Sequence, residues 1–160
     1  DGIDANGAIV MTGGTLLVSG PTNNGNAALD YDTSFKLDGG LFVAAGSSGM
    51  AMAPSTSSVQ NSVLVNFNSA QAAGTLFHVC NTEGENVLTF MPEKKYQSVA
   101  FSSPLLISGA TYNIYTGGSH SGVLSGQLYT NGVYTGGTKY SSFTISSVVT
   151  KLGATGGMGH

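Results

Sequence analysis

The sequence predicts an all-β protein in which two stacked coils, repeating every 26 residues, lead into a small antiparallel β-sandwich-like unit. Three observations carry this. The 160 residues include 24 Gly, with 41% hydrophobic residues, only 8% charged ones and no Arg or Trp, a turn-rich composition that can still build a core. Residues 3–20 (IDANGAIVMTGGTLLVSG) align without a gap on residues 29–46 (LDYDTSFKLDGGLFVAAG). From residue 61 onward, short alternating runs are separated by turn residues.

The coils come first, over residues 1–46. Apolar character recurs at Ile3/Leu29, Ile9/Phe35, Met11/Leu37, Leu16/Phe42 and Val18/Ala44. Spacing by two within each copy is the strand period with one face inward. Gly13-Gly14 and Gly39-Gly40 supply the turn between strands. Stacked in parallel register, the copies form a β-solenoid, or parallel β-helix, of two coils. Thr15, Leu17 and Ser19 become Leu41, Val43 and Ala45 in the second coil, so its outer face turns apolar and requires a cover from the rest of the chain.

Residues 47–58, SSGMAMAPSTSS, break the repeat and read as a crossing loop, with Met50 and Met52 as gap-filling contacts. The β-rich capping unit spans 59–150. Its expected strands are 62–67, 75–79, 87–90, 98–102, 111–115 and 141–149, with EGEN at 83–86 as a hairpin turn. YTGG at 115–118 and 134–137 and YTNG at 129–132 are turns, since no helix follows to make a phosphate loop. Residues 151–160 form a tail.

Charge is uneven. Asp1, Asp4, Asp30, Asp32 and Asp38 against Lys36 leave a net −4 over residues 1–53, whereas residues 54–160 carry +1. Five lysines without an arginine give no phosphate-tracking stripe, which argues against nucleic acid. No run of 18 apolar residues and no charged-then-apolar leader occur, so the expectation is a mature secreted piece, extracellular or at the cell surface, with no membrane span. Cys80 is single and reads as a small apolar strand residue, and His78, His120 and His160 show no metal-ligand spacing.

Ca²⁺ takes six to eight oxygen ligands at about 2.3–2.6 Å. Asp4 and Asn6 alternate to one side of an extended segment, Asp1 lies just before them, and Asp30 and Asp32 repeat the placement one coil on. Like charges stacked at the strand spacing of about 4.8 Å repel, and a cation reverses that interaction. These five residues are the expected calcium ligands. The same Asp and Asn residues also suit turns.

Tyr31 replaces Ala5 in the repeat and stands beside Asp30 and Asp32, while Lys36 is the one base on the coils. Both are assigned to glycan contact, with packing under the adjacent loop as the other reading of Tyr31. A polysaccharide lyase needs a strong base, and the coils offer only Lys36. A glycosidase needs two carboxylates about 5–9.5 Å apart, for which Asp30 with Asp32 or Asp4 is the available pair, and no residue is marked as a raised-pKa acid. The sequence therefore argues against an enzyme.

Taken together, DGIDANG, GPTNNGNAALDYD, AAGSSGMAMAP, QNSVLVNF and TKYSSFTISSVV resemble the C-terminal part of a family of secreted bacterial carbohydrate-binding-domain proteins with a pectate-lyase-like right-handed β-helix. The resemblance covers nearly the whole chain. It implies a right-handed hand for the coils, non-catalytic binding of plant-type polysaccharides including acidic ones, and bound calcium. Family members carry several earlier coils, so a binding site on those is not transferred. An open first coil beside Ile3, Ile9, Met11, Leu16 and Val18 also suits a structural subunit that self-associates head to tail into a filament, or one part of a longer β-helix.

Overall fold

The computed structural model describes residues 3–20, 22, 28–49 and 51–153, and every regular element among them is a β-strand. The 26-residue repeat becomes parallel pairing. β1 (Ile3–Ala5) lies beside β3 (Leu29–Tyr31), and β2 (Ala8–Ser19) beside β4 (Ser34–Gly46). Ile3 stands opposite Leu29, Ile9 opposite Phe35, Met11 opposite Leu37, Leu16 opposite Phe42 and Val18 opposite Ala44. The register slips only near the glycine pairs, where Thr12 faces Gly39. There the backbones nearly touch: a Cβ on Gly40, whose φ is +90°, would lie 2.6 Å from the Gly14 carbonyl oxygen, so only glycine fits.

The inward ladder makes its own core. Leu29, Phe35, Leu37, Phe42 and Ala44 are buried with Ala53, Leu64 and Ala100, and the rings of Phe35 and Phe42 meet edge to face at 5.1 Å. Their counterparts Ile3, Ile9, Met11, Leu16 and Val18 are only half-buried, because among the described residues the first copy has a strand neighbour on one side and the second has neighbours on both. The second neighbour of β4 is partly the crossing loop. Ser55 N–H donates to the Phe35 carbonyl (2.8 Å), the hydroxyls of Ser55 and Ser58 accept from the N–H groups of Phe35 (2.7 Å) and Leu37 (2.8 Å), and Gln60 N–H donates to the Leu37 carbonyl (3.0 Å). A segment without strand periodicity thus satisfies a strand edge with serine side chains.

Past its glycines, β4 enters a five-stranded sheet. β8 (Tyr96–Ser102) pairs antiparallel with both β4 and β5 (Ser62–Gln71), and β15 (Val149–Gly153) pairs parallel with β5, giving the order β15-β5-β8-β4-β2. The second sheet is antiparallel throughout, and three of its strands are β6 (Phe77–Asn81), β7 (Asn86–Phe90) and β9 (Thr111–Thr116). Around these stand β11 (Val123–Ser125), β12 (Leu128–Thr130) and β14 (Thr138–Thr144), in the order β11-β12-β7-β6-β9-β14. A two-stranded ribbon of β10 (Ser119–His120) and β13 (Tyr134–Thr135) completes the set. Val43, Ala45, Val63, Val65 and Phe67 of one sheet pack on Phe77, Val79, Phe90, Ile114 and Phe143 of the other. The apolar outer face of the second copy, Val43 and Ala45, is therefore covered by the remainder of the chain, as its sequence requires.

Three expectations change. The run 141–149 is not one strand: it bends at Ser147–Val148 and passes from the second sheet to the first, with the Ser147 hydroxyl donating to the Val149 carbonyl (2.8 Å). The unit after the crossing loop is not wholly antiparallel, since β15 runs parallel to β5, and β15 takes in residues 151–153 of the expected tail. Short strands β10 to β13 occupy 119–135, where the sequence offered turn chemistry alone. No helix among the described residues is long and apolar enough to cross a membrane.

Candidate functional site

The parallel register sets Asp4 opposite Asp30 and Ala5 opposite Tyr31. Two carboxylate-bearing residues therefore sit on neighbouring strands at the backbone spacing of about 4.8 Å. Asp4 is exposed and Asp30 half-buried. Asn6 and Asp32 are exposed in the bends that follow, where Asp32 N–H donates to the Ala5 carbonyl (3.1 Å). Asp1 lies outside the described residues. Among the described residues, no three His, Cys, Asp or Glu side chains converge closely enough to hold a metal ion by themselves. A cation here would draw the rest of its shell from Asn6, backbone carbonyls and water.

Tyr31 leaves this edge on the opposite side of its strand from Asp30, by strand alternation. Its hydroxyl donates to the Ala53 carbonyl (2.6 Å), and its ring stands edge-on to Phe35 with centroids 6.3 Å apart. The crossing loop thus fixes the ring, which remains half-buried. It forms one wall of a recess of about 450 Å³ shared with Met52, Pro54, Thr56, Val149 and Lys151. An aromatic wall, hydroxyls and an ammonium group on one concave surface can stack on a sugar ring, bond its hydroxyls and pair with a carboxylate.

Lys36 does not belong to this recess. Its ammonium stands 3.4 Å from the Asp38 carboxylate, whose other oxygen accepts from the Val59 N–H (3.1 Å). The base beside Tyr31 is Lys151, which the sequence analysis missed. It arrives through the parallel pairing of β15 with β5, a contact across most of the chain that no local pattern announces.

A second concavity, also unforeseen, lies on the outer face of the second sheet, where His78, Cys80, Tyr115 and Tyr134 meet Gly136 and Gly137. The alternation of β6 does signal that His78 and Cys80 share a face, because Phe77 and Val79 are core residues. Nothing in the sequence signals that Tyr134 folds back upon them. No family model, no curated protein and no solved structure matches the chain, so its function is argued from these surfaces.

Proposed function

We propose that the protein is a non-catalytic polysaccharide-binding module, extracellular or at the cell surface, whose two repeats are coils of a right-handed parallel β-helix of the secreted bacterial carbohydrate-binding-domain family. The observation that carries the reading is the recess between Tyr31 and Lys151, where a tethered ring and a cation face one groove. Its ligand is an acidic plant-type glycan. The uronate carboxylate pairs with the Lys151 ammonium, an apolar sugar face lies on Tyr31, and hydroxyls bond Thr33, Ser55 and Thr56. Calcium, held at the Asp4–Asp30 step with Asn6 and Asp32, offsets the carboxylate repulsion there and bridges further uronates.

Affinity electrophoresis through gels containing polygalacturonate tests this. The expected result is retardation of the wild type, weakened by a calcium chelator and largely lost in Lys151→Glu, an exposed position whose substitution leaves the core intact. Unretarded migration of the wild type with calcium, in polygalacturonate and in neutral plant glycans alike, overturns the reading.

A second reading, a structural subunit that self-associates, is favoured by the edges of the five-stranded sheet. β2 has β4 as its one strand partner among the described residues, and β15 at the far edge runs parallel to it.

A further inference from the structure

We infer that the recess formed by His78, Tyr115 and Tyr134 is a second binding site, specific for a single neutral sugar ring and separate from the Tyr31 groove. Register builds it: Thr89 on β7, His78 on β6 and Tyr115 on β9 stand in one row across the outer face of the second sheet. The β10–β13 ribbon then carries Tyr134 over this row, stacking its ring on the imidazole at 3.9 Å and 14°. The Tyr134 hydroxyl donates to the Gly117 carbonyl (2.6 Å), which locks that ring. Tyr115 forms the adjoining wall, its centroid 6.0 Å from His78 and 6.2 Å from Tyr134.

Hydrogen bonding sets the chemistry of the imidazole. The Thr89 hydroxyl donates its one proton to the Asn86 side-chain oxygen (2.8 Å), so toward His78 Nδ1, also 2.8 Å away, it can only accept. Nδ1 therefore carries the proton, and Nε2 is left as an acceptor with no hydrogen-bond partner among the described residues. Burial, with the nearby His120 adding to it, lowers the His78 pKa to about 4, so the ring stays neutral in ordinary buffers.

Ligand class follows from the lining. The lining, with His78, Cys80, Gly84, Tyr115, Thr135 and Gly136, includes no carboxylate and no ammonium group; Lys139, opposite Tyr115 on β14 and close enough to act on Cys80, stands beside the recess and not in its lining. Aromatic walls with an unpaired acceptor suit a ring that has apolar C–H faces and hydroxyl donors. The volume, about 250 Å³, falls just below the roughly 300–1,000 Å³ of pockets for drug-sized ligands, a fit for one ring and not for a chain. The occupant is thus a neutral pyranose, free or as the terminal unit of a glycan.

The test titrates the full chain with methyl glycosides of neutral hexoses while observing histidine side-chain nitrogens and backbone amides by NMR. The expected result has three parts: an Nδ1–H tautomer at His78, a shift of its Nε2 resonance with at least one hexoside, and perturbed amides at Thr135 to Gly137. Tyr115→Ala weakens binding tenfold or more. Thr135→Arg, at an exposed position on the mouth, does the same and serves if Tyr115→Ala fails to fold. No shift at His78 up to tens of millimolar of each hexoside overturns the inference, as does binding that both variants retain. Lys151→Glu separates the two sites, for it should lose polygalacturonate retention and keep the hexoside response.

Discussion

The imidazole of His78 stays neutral because it is enclosed, 5% exposed beneath Tyr134, with the nearby His120 adding to the effect. Its pKa falls from 6.5 to about 4 on folding, so the unfolded chain takes up a proton that the folded one refuses. The stability that His78 contributes is therefore fully present above pH 6.5 and is lost as pH falls from there toward 4, with a slope of up to about 1.4 kcal/mol per pH unit. Denaturant melts of the wild type and His78→Gln between pH 7 and pH 4.5 measure it. The wild type should lose more stability than the variant across that interval, and parallel curves would show that His78 titrates alike in both states. The residue itself could be read from the sequence only as an ordinary strand histidine. What makes it unusual is a ring more than fifty positions later, reached through a ribbon whose Gly-rich turns gave no sign of direction. Tyr31 shows the opposite case: its place beside the aspartates follows from the repeat, and its tether to Ala53 fixes the ring against the crossing loop while leaving it half-buried.

At the scale of single elements, β4 connects the two halves of the molecule because its faces serve different cores. Phe42 and Ala44 point into the repeat, whereas Val43 and Ala45 point between the sheets. Both assignments were legible, since strand alternation and a gapless 26-residue offset fix register and face together. The antiparallel insertion of β8 between β4 and β5 was not, because hydrogen-bonded pairing of distant strands leaves no periodic mark in either one. The same reasoning grades the ladder energetically. Phe42 is fully buried against Phe35, and Phe42→Ala should cost about 3–5 kcal/mol, while Leu16→Ala, at the half-buried position opposite, should cost about 2 kcal/mol or less. Chemical denaturation of the two variants compares them directly. Equal losses would mean that the first copy is as enclosed as the second, and so that something further covers β2.

For the whole molecule, the open question of assembly reduces to what β2 presents. Among the described residues it is an edge strand of twelve residues, AIVMTGGTLLVS, without a charge or a proline, and long uncharged edges are templates for further pairing. Its inward residues Ile9, Met11, Leu16 and Val18 are half-buried, and Val10 beside them is 62% exposed. The far edge of the same sheet, β15, points the same way along the sheet and carries Val149 on the face that Leu16 and Val18 share. A second copy can therefore add its β15 to β2 in parallel, prolonging both the hydrogen-bond ladder and the apolar row. Such a contact joins two different surfaces, so repetition produces an open chain of subunits and not a closed dimer. Sedimentation velocity over a wide concentration range should show species growing with concentration, and electron micrographs should show filaments. Thr15→Lys, an exposed site on β2, places a charge on that edge without touching either core and should return the protein to monomers. A wild type that stays monomeric at every concentration, or assembly that Thr15→Lys leaves unchanged, would remove β2 as the polymerising edge and leave the glycan-binding reading to stand alone.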